Sequence, residues 1–367
     1  MHLRLFLLIA CTTTIALLAG CNPNREGRAP GSCADGIDND GNLAIDCVDP
    51  GCADAPACGD HTDPTEDPTP TPEPTPIPTP TPQVFDCSTI SNSPISERTI
   101  AGPRGYHGLA FDDSGNIVGN TDDDMLKSDY SGNWNVFVPG VGQKEQMDYL
   151  PNGDLVAADS WSGGLTRITP AGGTSTFATS VNAYGVVVGP DGMVYTAGSG
   201  GIYRVNPANG QRTSMGSLNS DEAHSLDFSP DYSRLYIGTI ADGWSGVIYK
   251  IDLNASMDPV GGPQVFANNI GEGWHDGVAV DACGYLYVPD FWSSTLNRIS
   301  PNGQSIVYVN WSANSSMYGH GAEFGNGIGG WRDDAIYLPM PYNNNMVKEI
   351  VVGVPSRYWK GQVINAP

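Results

Sequence analysis

The chain has 367 residues, with 40 Asp and Glu against 17 Lys and Arg, a formal net charge of −23 and a pI near 4.3. That excess of negative charge repels polyphosphate, so it excludes nucleic acid as a partner and opposes direct adhesion to an anionic lipid surface. Forty per cent of the residues are apolar, enough at this length for a large hydrophobic core, and a monomer is expected.

Residues 1–20 join Arg4 to an apolar run from Leu5 to Leu18 and then small residues, the pattern of a secretory signal and not of a spanning helix. The ending Leu18-Ala-Gly-Cys21 resembles the bacterial lipobox. That resemblance implies cleavage before Cys21 and lipidation of its thiol, so the membrane is a partner only through the anchor. Residues 21–32 form a short tether. Residues 33–58 are a small acidic module with Cys33, Cys47, Cys52 and Cys58, whose density in an exported chain predicts two disulfides with three pairings open. Asp38, Asp40, Asn42, Asp46 and Asp49 lie between them, oxygen donors that can converge on calcium. The stretch resembles the Asp-Asn-Asp-Gly loops of thrombospondin type 3 repeats; a solvated acidic turn is the plainer reading. Residues 59–83 are a Thr/Pro-rich linker. Alternating proline forbids helix and sheet there and favours a polyproline II stalk of about 60 Å.

From residue 84 to 367 the chain repeats itself. Segments starting at His107 (HGLAFDDSGNIV), Glu145 (EQMDYLPNGDLV), Tyr184 (YGVVVGPDGMVY), His224 (HSLDFSPDYSRLY), Asp276 (DGVAVDACGYLY) and His320 (HGAEF, with a longer Gly-rich turn) share one strand–turn–strand layout. Third segments recur in step, such as Leu165–Ile168, Ile202–Val205, Ile248–Ile251 and Leu296–Ile299, and a fourth follows in several copies. The six copies are spaced by 38, 39, 40, 52 and 44 residues. Four strands in such a unit make a propeller blade, so the expected fold is all-β, a six-bladed β-propeller preceded by the disulfide-rich acidic module and the stalk. Val84–Ile100 is expected to add a closing strand to the last blade, and Cys87 and Cys283 form a candidate pair pinning it to the fifth.

Three of the four propeller histidines, His107, His224 and His320, hold the same repeat position. Glu145, Tyr184 and Asp276 hold it in the other copies. Inner strands line a propeller's channel, so these six side chains are expected to form a polar ring at one depth near one mouth. Imidazoles and carboxylates converging on an axis suit a divalent metal, zinc or calcium, with His107, His224, His320, Asp276 and Glu145 as candidate ligands. Ordered water around structural histidines is the plainer alternative. Loops after the second strands share that face. Asp159-Ser-Trp-Ser162, Asp242-Gly-Trp-Ser245, Asp290-Phe-Trp-Ser293 and Pro341-Tyr-Asn-Asn344 would place Trp161, Trp244, Trp292 and Tyr342 on a rim, with Trp274 near by. Blade-to-blade packing is the other use for such tryptophans.

The unit Asp276-Gly-Val-Ala-Val-Asp281…Gly284-Tyr-Leu-Tyr-Val resembles the senescence-marker-protein (SMP-30)/gluconolactonase family, six-bladed metal-dependent lactonases. The resemblance puts Asp276 on that family's metal-binding aspartate. The family's first-blade glutamate falls on His107 and its asparagines fall on Tyr184 and His224. His107-Gly108-Leu109, His224-Ser225-Leu226 and His320-Gly321 also resemble the zinc-binding pattern of peptidyl-hydroxyglycine amidating lyases and other NHL-type propellers. These resemblances imply a metal-dependent enzyme of lactonase or lyase type; on an exported chain the expectation is action on a small polar substrate at the ring, with Glu145 or Asp276 as base and Tyr184 as proton donor. A surface receptor for a glycan, peptide or protein, and an interaction platform of the bacterial cell envelope, are the alternatives.

Overall fold

The computed structural model describes Cys52, Cys58 and residues 86–102, 108–218, 222–240, 245–313, 318–342 and 345–357. The chain divides into two units, Met1–Thr79 and Pro80–Pro367. In the first, Cys52 and Cys58 each belong to a disulfide. The signal, Cys21, Cys33, Cys47, the acidic loop from Asp38 to Asp49 and the stalk lie outside the described residues, as do His107 and Trp244.

The second unit is the expected propeller. Five sheets take four consecutive strands each: β2 (Ala110–Phe111) to β5 (Trp134–Val138), β6 (Met147–Tyr149) to β9 (Thr174–Ala178), β10 (Ala183–Val188) to β13 (Arg212–Gly216), β14 (Glu222–Phe228) to β17 (Gln264–Ile270), and β18 (Ala279–Val280) to β21 (Ser305–Asn310). The sixth joins β22 (Glu323–Phe324), β23 (Ala335–Met340) and β24 (Met346–Val351) to β1 (Ser96–Ala101), which pairs antiparallel with β24 from Ser96↔Val351 to Ala101↔Met346. The closing strand is therefore where the sequence placed it. A fourth strand in blade 3, Arg212–Gly216, carries too little apolar alternation to read from sequence and is set by pairing with β12 (Gly201–Val205).

Burial grades outward along each blade. Second strands such as β11 (Val194–Gly198) and β19 (Leu286–Asp290) are buried throughout, while outer strands such as β9 expose three of their five residues. The core is accordingly six wedges, one per blade interface. Val156, Leu165, Ala183 and Val186 fill the seam between blades 2 and 3, and Ile100, Leu109, Trp331 and Tyr337 fill the one between blades 6 and 1. No blade covers its own faces, so neighbours must stack before any is stable. The turn after the inner strand needs a left-handed residue. Gly115, Gly153, Gly192 and Gly284 supply it at φ 82, 84, 69 and 79°; in blade 4 the extra residue puts Tyr232 there at φ 55°.

Asp281, in the turn after β18, is fully buried, accepts from the Cys283 and Tyr285 amides at 2.9 Å each and from the Tyr287 hydroxyl at 3.1 Å. Burial outweighs these bonds and pushes its carboxyl up to about 7. A carboxyl raised on folding adds stability while protonated and loses that stability as pH climbs from about 4 through about 7. Asp281→Asn mimics the protonated form. Its melting temperature should therefore match wild type near pH 4 and exceed it by a margin that widens up to pH 8, as read by thermal melts at each pH; a constant margin would refute the assignment.

Candidate active site at the ring mouth

Residues at one repeat position in adjacent blades meet. Asp276, just before β18, has no solvent exposure. Its Oδ1 lies 3.1 Å from Nδ1 of His224 in β14, and its Oδ2 lies 2.9 Å from Nδ1 of His320, just before β22. Blades 4, 5 and 6 thus bring three ring residues together. Trp274 also donates its Nε1 hydrogen to Oδ2 at 3.0 Å.

The remaining ring positions differ in surroundings. Glu145 is buried and accepts from the Ser160 hydroxyl at 2.6 Å. The Tyr184 ring stacks on His224, centroids 4.5 Å apart, and its hydroxyl hydrogen-bonds Glu222. Burial raises both Tyr184 and Glu222 above their ordinary values. Burial also drives the His320 imidazole down to about 3, so it is neutral at physiological pH, the state in which imidazole is a ligand. His275, the fourth histidine, has a different job. It is fully buried, with Nε2 at 3.1 Å from the Ile270 carbonyl and 3.4 Å from Asp290 Oδ2.

Asp290 explains the repeated loop. Its Oδ1 accepts from the Ser293 amide at 2.8 Å, and Asp159 makes the same i to i+3 bond to Ser162 at 2.9 Å. Asp290 Oδ2 takes the amides of Glu272, Gly273 and Trp274, fixing the segment that carries Asp276. Burial opposes ionisation of Asp290, but bonds from His275 and Ser293 win and hold it below the usual range. The aspartate pins the loop and leaves the tryptophan outside: Trp161 is 82% exposed and Trp292 42%. Outward projection at that level is not blade packing.

Phe291 and Tyr318, which sequence reasoning passed over, complete the wall. Phe291 stacks on Tyr318 at 4.5 Å, meets His320 edge-on at 4.8 Å and touches Trp292 at 5.0 Å; Tyr342, half exposed, lies 5.4 Å from His320. Phe291 sits in the same Asp-Phe-Trp-Ser loop, so its position was readable once that loop was placed over the ring. Trp274 joins the wall, edge-on to Trp292 at 5.6 Å. Trp161 stands apart on blade 2, its Nε1 donating to Gln143 at 3.3 Å.

Imidazoles and a carboxylate are the nitrogen and oxygen donor types that a borderline ion such as zinc takes. Among the described residues no group of three or more His, Cys, Asp or Glu side chains is placed to hold a metal ion; His107 lies outside them. Calcium, which takes about six to eight oxygens, does not fit this set.

No curated protein sequence matches the chain. The SMP-30/gluconolactonase/LRE-like region matches residues 223–318, a segment holding His224, Trp274, Asp276, Phe291 and Trp292. Among solved structures, a gluconolactonase from Xanthomonas campestris shares 15% identity at a TM-score of 0.57, covering 72% of this chain and 94% of its own. A calcium-binding protein, regucalcin, from Agrobacterium tumefaciens shares 16% at 0.54, covering 72% and 95%. An auxiliary nutrient-binding protein from Bacteroides thetaiotaomicron shares 11% at 0.55, covering 70% of each chain. At such identities the likeness is one of fold. The chain is a six-bladed propeller with the fold of gluconolactonase and regucalcin, and the SMP-30/gluconolactonase/LRE-like sequence match runs through its fourth and fifth blades.

Proposed function

We propose that the ring mouth is a metal-assisted active site of lactonase or lyase type, acting on a lactone or similar small polar substrate. The observation that carries this reading is the buried Asp276 carboxylate with imidazoles from two other blades at 3.1 and 2.9 Å. The family match across these blades supports it. His224, His320 and Asp276 would hold a zinc-type ion, with His107 as a further ligand. When bound, such an ion supplies a Lewis acid that polarises a carbonyl. The chain's own residues bind and orient the substrate. Phe291 and Tyr342 flank His320 and exclude water from that side. Tyr184, kept protonated by burial and by Glu222, is the proton donor, and Glu145, steadied by the Ser160 hydroxyl, is the base. The propeller is exported, lipid-anchored at Cys21 and held off the envelope by the stalk; the Cys87–Cys283 disulfide supports an oxidising compartment.

Purified without added metal, the full chain is expected to carry about one zinc per molecule and to hydrolyse members of a lactone panel, with activity lost on chelation and restored by zinc. His224→Ala and His320→Ala should each lose most of the metal by elemental analysis. Full lactonase activity in a metal-free preparation would overturn the assignment. The exposure of Trp161 and Trp292 favours a second reading, a receptor whose rim stacks on sugar rings. Glycan binding that survives chelation and disappears in Trp161→Ala and Trp292→Ala would establish that one instead.

A further inference from the structure

Each inner strand is the edge of its sheet, so the N–H and C=O groups along its inner side need partners from somewhere other than a neighbouring strand. Lower in the channel, acids from the preceding blade supply some of them. Asp148 accepts from the Val188 amide at 2.7 Å and Asp227 from the Val280 amide at 2.8 Å; with Glu323 these make a second acid column, three residues past the ring. Between the two columns, the residue that follows each ring residue reads Gly108, Gln146, Gly185, Ser225, Gly277 and Gly321. Five of the six are small, and neighbouring inner strands approach backbone to backbone there. A Cβ added at Gly108 would lie 2.3 Å from the Glu145 carbonyl oxygen, and one at Gly277 would lie 2.4 Å from the Ala322 nitrogen. Blade 2 alone carries a long side chain at this position.

Gln146 is buried, and its carboxamide reaches three other blades. Oε1 accepts from the amides of Val186 on blade 3 at 3.3 Å and Leu226 on blade 4 at 3.4 Å, and Nε2 donates to the main-chain carbonyl of Asp276 on blade 5 at 3.5 Å. Two donors at one end and an acceptor at the other admit one orientation of the amide. Blade 5 stands opposite blade 2 in a ring of six, so the side chain crosses the axis. On its far side from the ring, the six inner strands line a void of about 20 Å³, room for about one water molecule. The ring mouth is therefore a cup with Gln146 in its floor. The three contacts also fall on the strands that carry the ring. Val186 and Leu226 lie two residues past Tyr184 and His224, and the third partner is Asp276 itself.

We propose that Gln146 is a positioning residue of the ring mouth: one carboxamide sets where Tyr184, His224 and Asp276 stand relative to one another. Its bearing on chemistry rests on the ring mouth being the active site, so the first measurement uses no metal. Histidine side-chain NMR spectra of the metal-free full chain report the stacking of Tyr184 on His224. Methionine and glutamate both match glutamine in length, but only glutamate keeps an acceptor for the two amides. Gln146→Met is expected to shift the His224 ring resonances and to leave those of His275, held by Ile270 and Asp290, in place. Gln146→Glu is expected to keep His224 near its wild-type position, a rescue that space filling alone does not give. Should the methionine variant fold poorly, a displaced His224 in Gln146→Glu overturns the proposal by itself. Zinc titrated into the same samples is expected to bind Gln146→Met about tenfold more weakly than wild type, as when a ligand loses its supporting shell. Unmoved His224 resonances in Gln146→Met, equal displacement in both variants, or equal zinc affinity of wild type and Gln146→Met would overturn the assignment. A wild type that takes up no zinc would remove the active-site reading alone, with the histidine spectra still deciding whether Gln146 holds the ring.

Discussion

Asp276→Asn is expected to lower metal affinity and turnover by at least about 100-fold while moving the melting temperature by less than about 4 °C. The argument rests on what surrounds the carboxylate. Among the described residues its close neighbours include the Nδ1 atoms of His224 and His320 and the Trp274 indole N–H. The last is a hydrogen bond to a neutral donor, and His320 is held neutral by burial, so charge pairing with His320 adds little to the fold at this point. Asparagine keeps the shape and can still accept from Trp274. It removes the negative charge that two imidazoles converge upon. Were Asp276 a structural ion-pair partner instead, the signs would reverse: breaking a buried pair costs about 3–5 kcal/mol, a loss of roughly 10 °C or more in a domain of this size, with the surviving folded fraction fully active. Metal titration and a thermal melt on the same preparation therefore separate a site role from a scaffold role. Retained metal with a collapsed melting temperature is the result that would remove Asp276 from the site.

The circle of blades was legible because the repeat is carried by the residues that make it. Alternating apolar strands and a left-handed glycine after the inner strand recur at Gly115, Gly153, Gly192 and Gly284, and each recurrence fixes one blade. The ring followed from the same alignment: once His224, Asp276 and His320 share a column, a propeller leaves them no choice but to be neighbours. What the column could not show was contact geometry. That Tyr184 lies flat on His224, and that Asp290 spends one oxygen on three amides of the segment before Asp276, depends on loop paths set by tertiary packing. His275 illustrates the limit. Adjacent to Asp276 in sequence, it points away from the ring because alternate residues of an extended segment face opposite ways, and it serves Ile270 and Asp290. The second acid column, Asp148, Asp227 and Glu323, was equally present in the alignment. It escapes notice because two of its members look like ordinary turn-proximal aspartates until their bonds to the next blade are seen.

Removing the Cys87–Cys283 bond with paired alanine substitutions is expected to lower stability by about 2–5 kcal/mol, a fall of roughly 4–20 °C in melting temperature. The two cysteines are 196 residues apart in sequence and 5.7 Å apart at Cα, so the bond closes a loop that spans most of the propeller. Chain entropy sets an upper figure of about 5 kcal/mol for a loop that long. The bond also acts at a particular place. It joins the segment ahead of β1 to the turn after β18, while the Arg298 guanidinium on blade 5 donates to the Ser91 carbonyl and to Asn92, and the Trp311 indole donates to Glu97 at 3.2 Å. All of these tie the closing segment, which completes blade 6, to blade 5. Asp276 and His320 meet across that same seam. Loosening it should therefore weaken metal binding at temperatures well below the melt, with His224 on the far side of Asp276 unaffected in its stacking on Tyr184. Metal affinity measured against temperature, with and without the disulfide, checks this: parallel curves displaced only at the melting transition would mean that β1 pairing alone closes the ring and that the covalent bond does not reach the site.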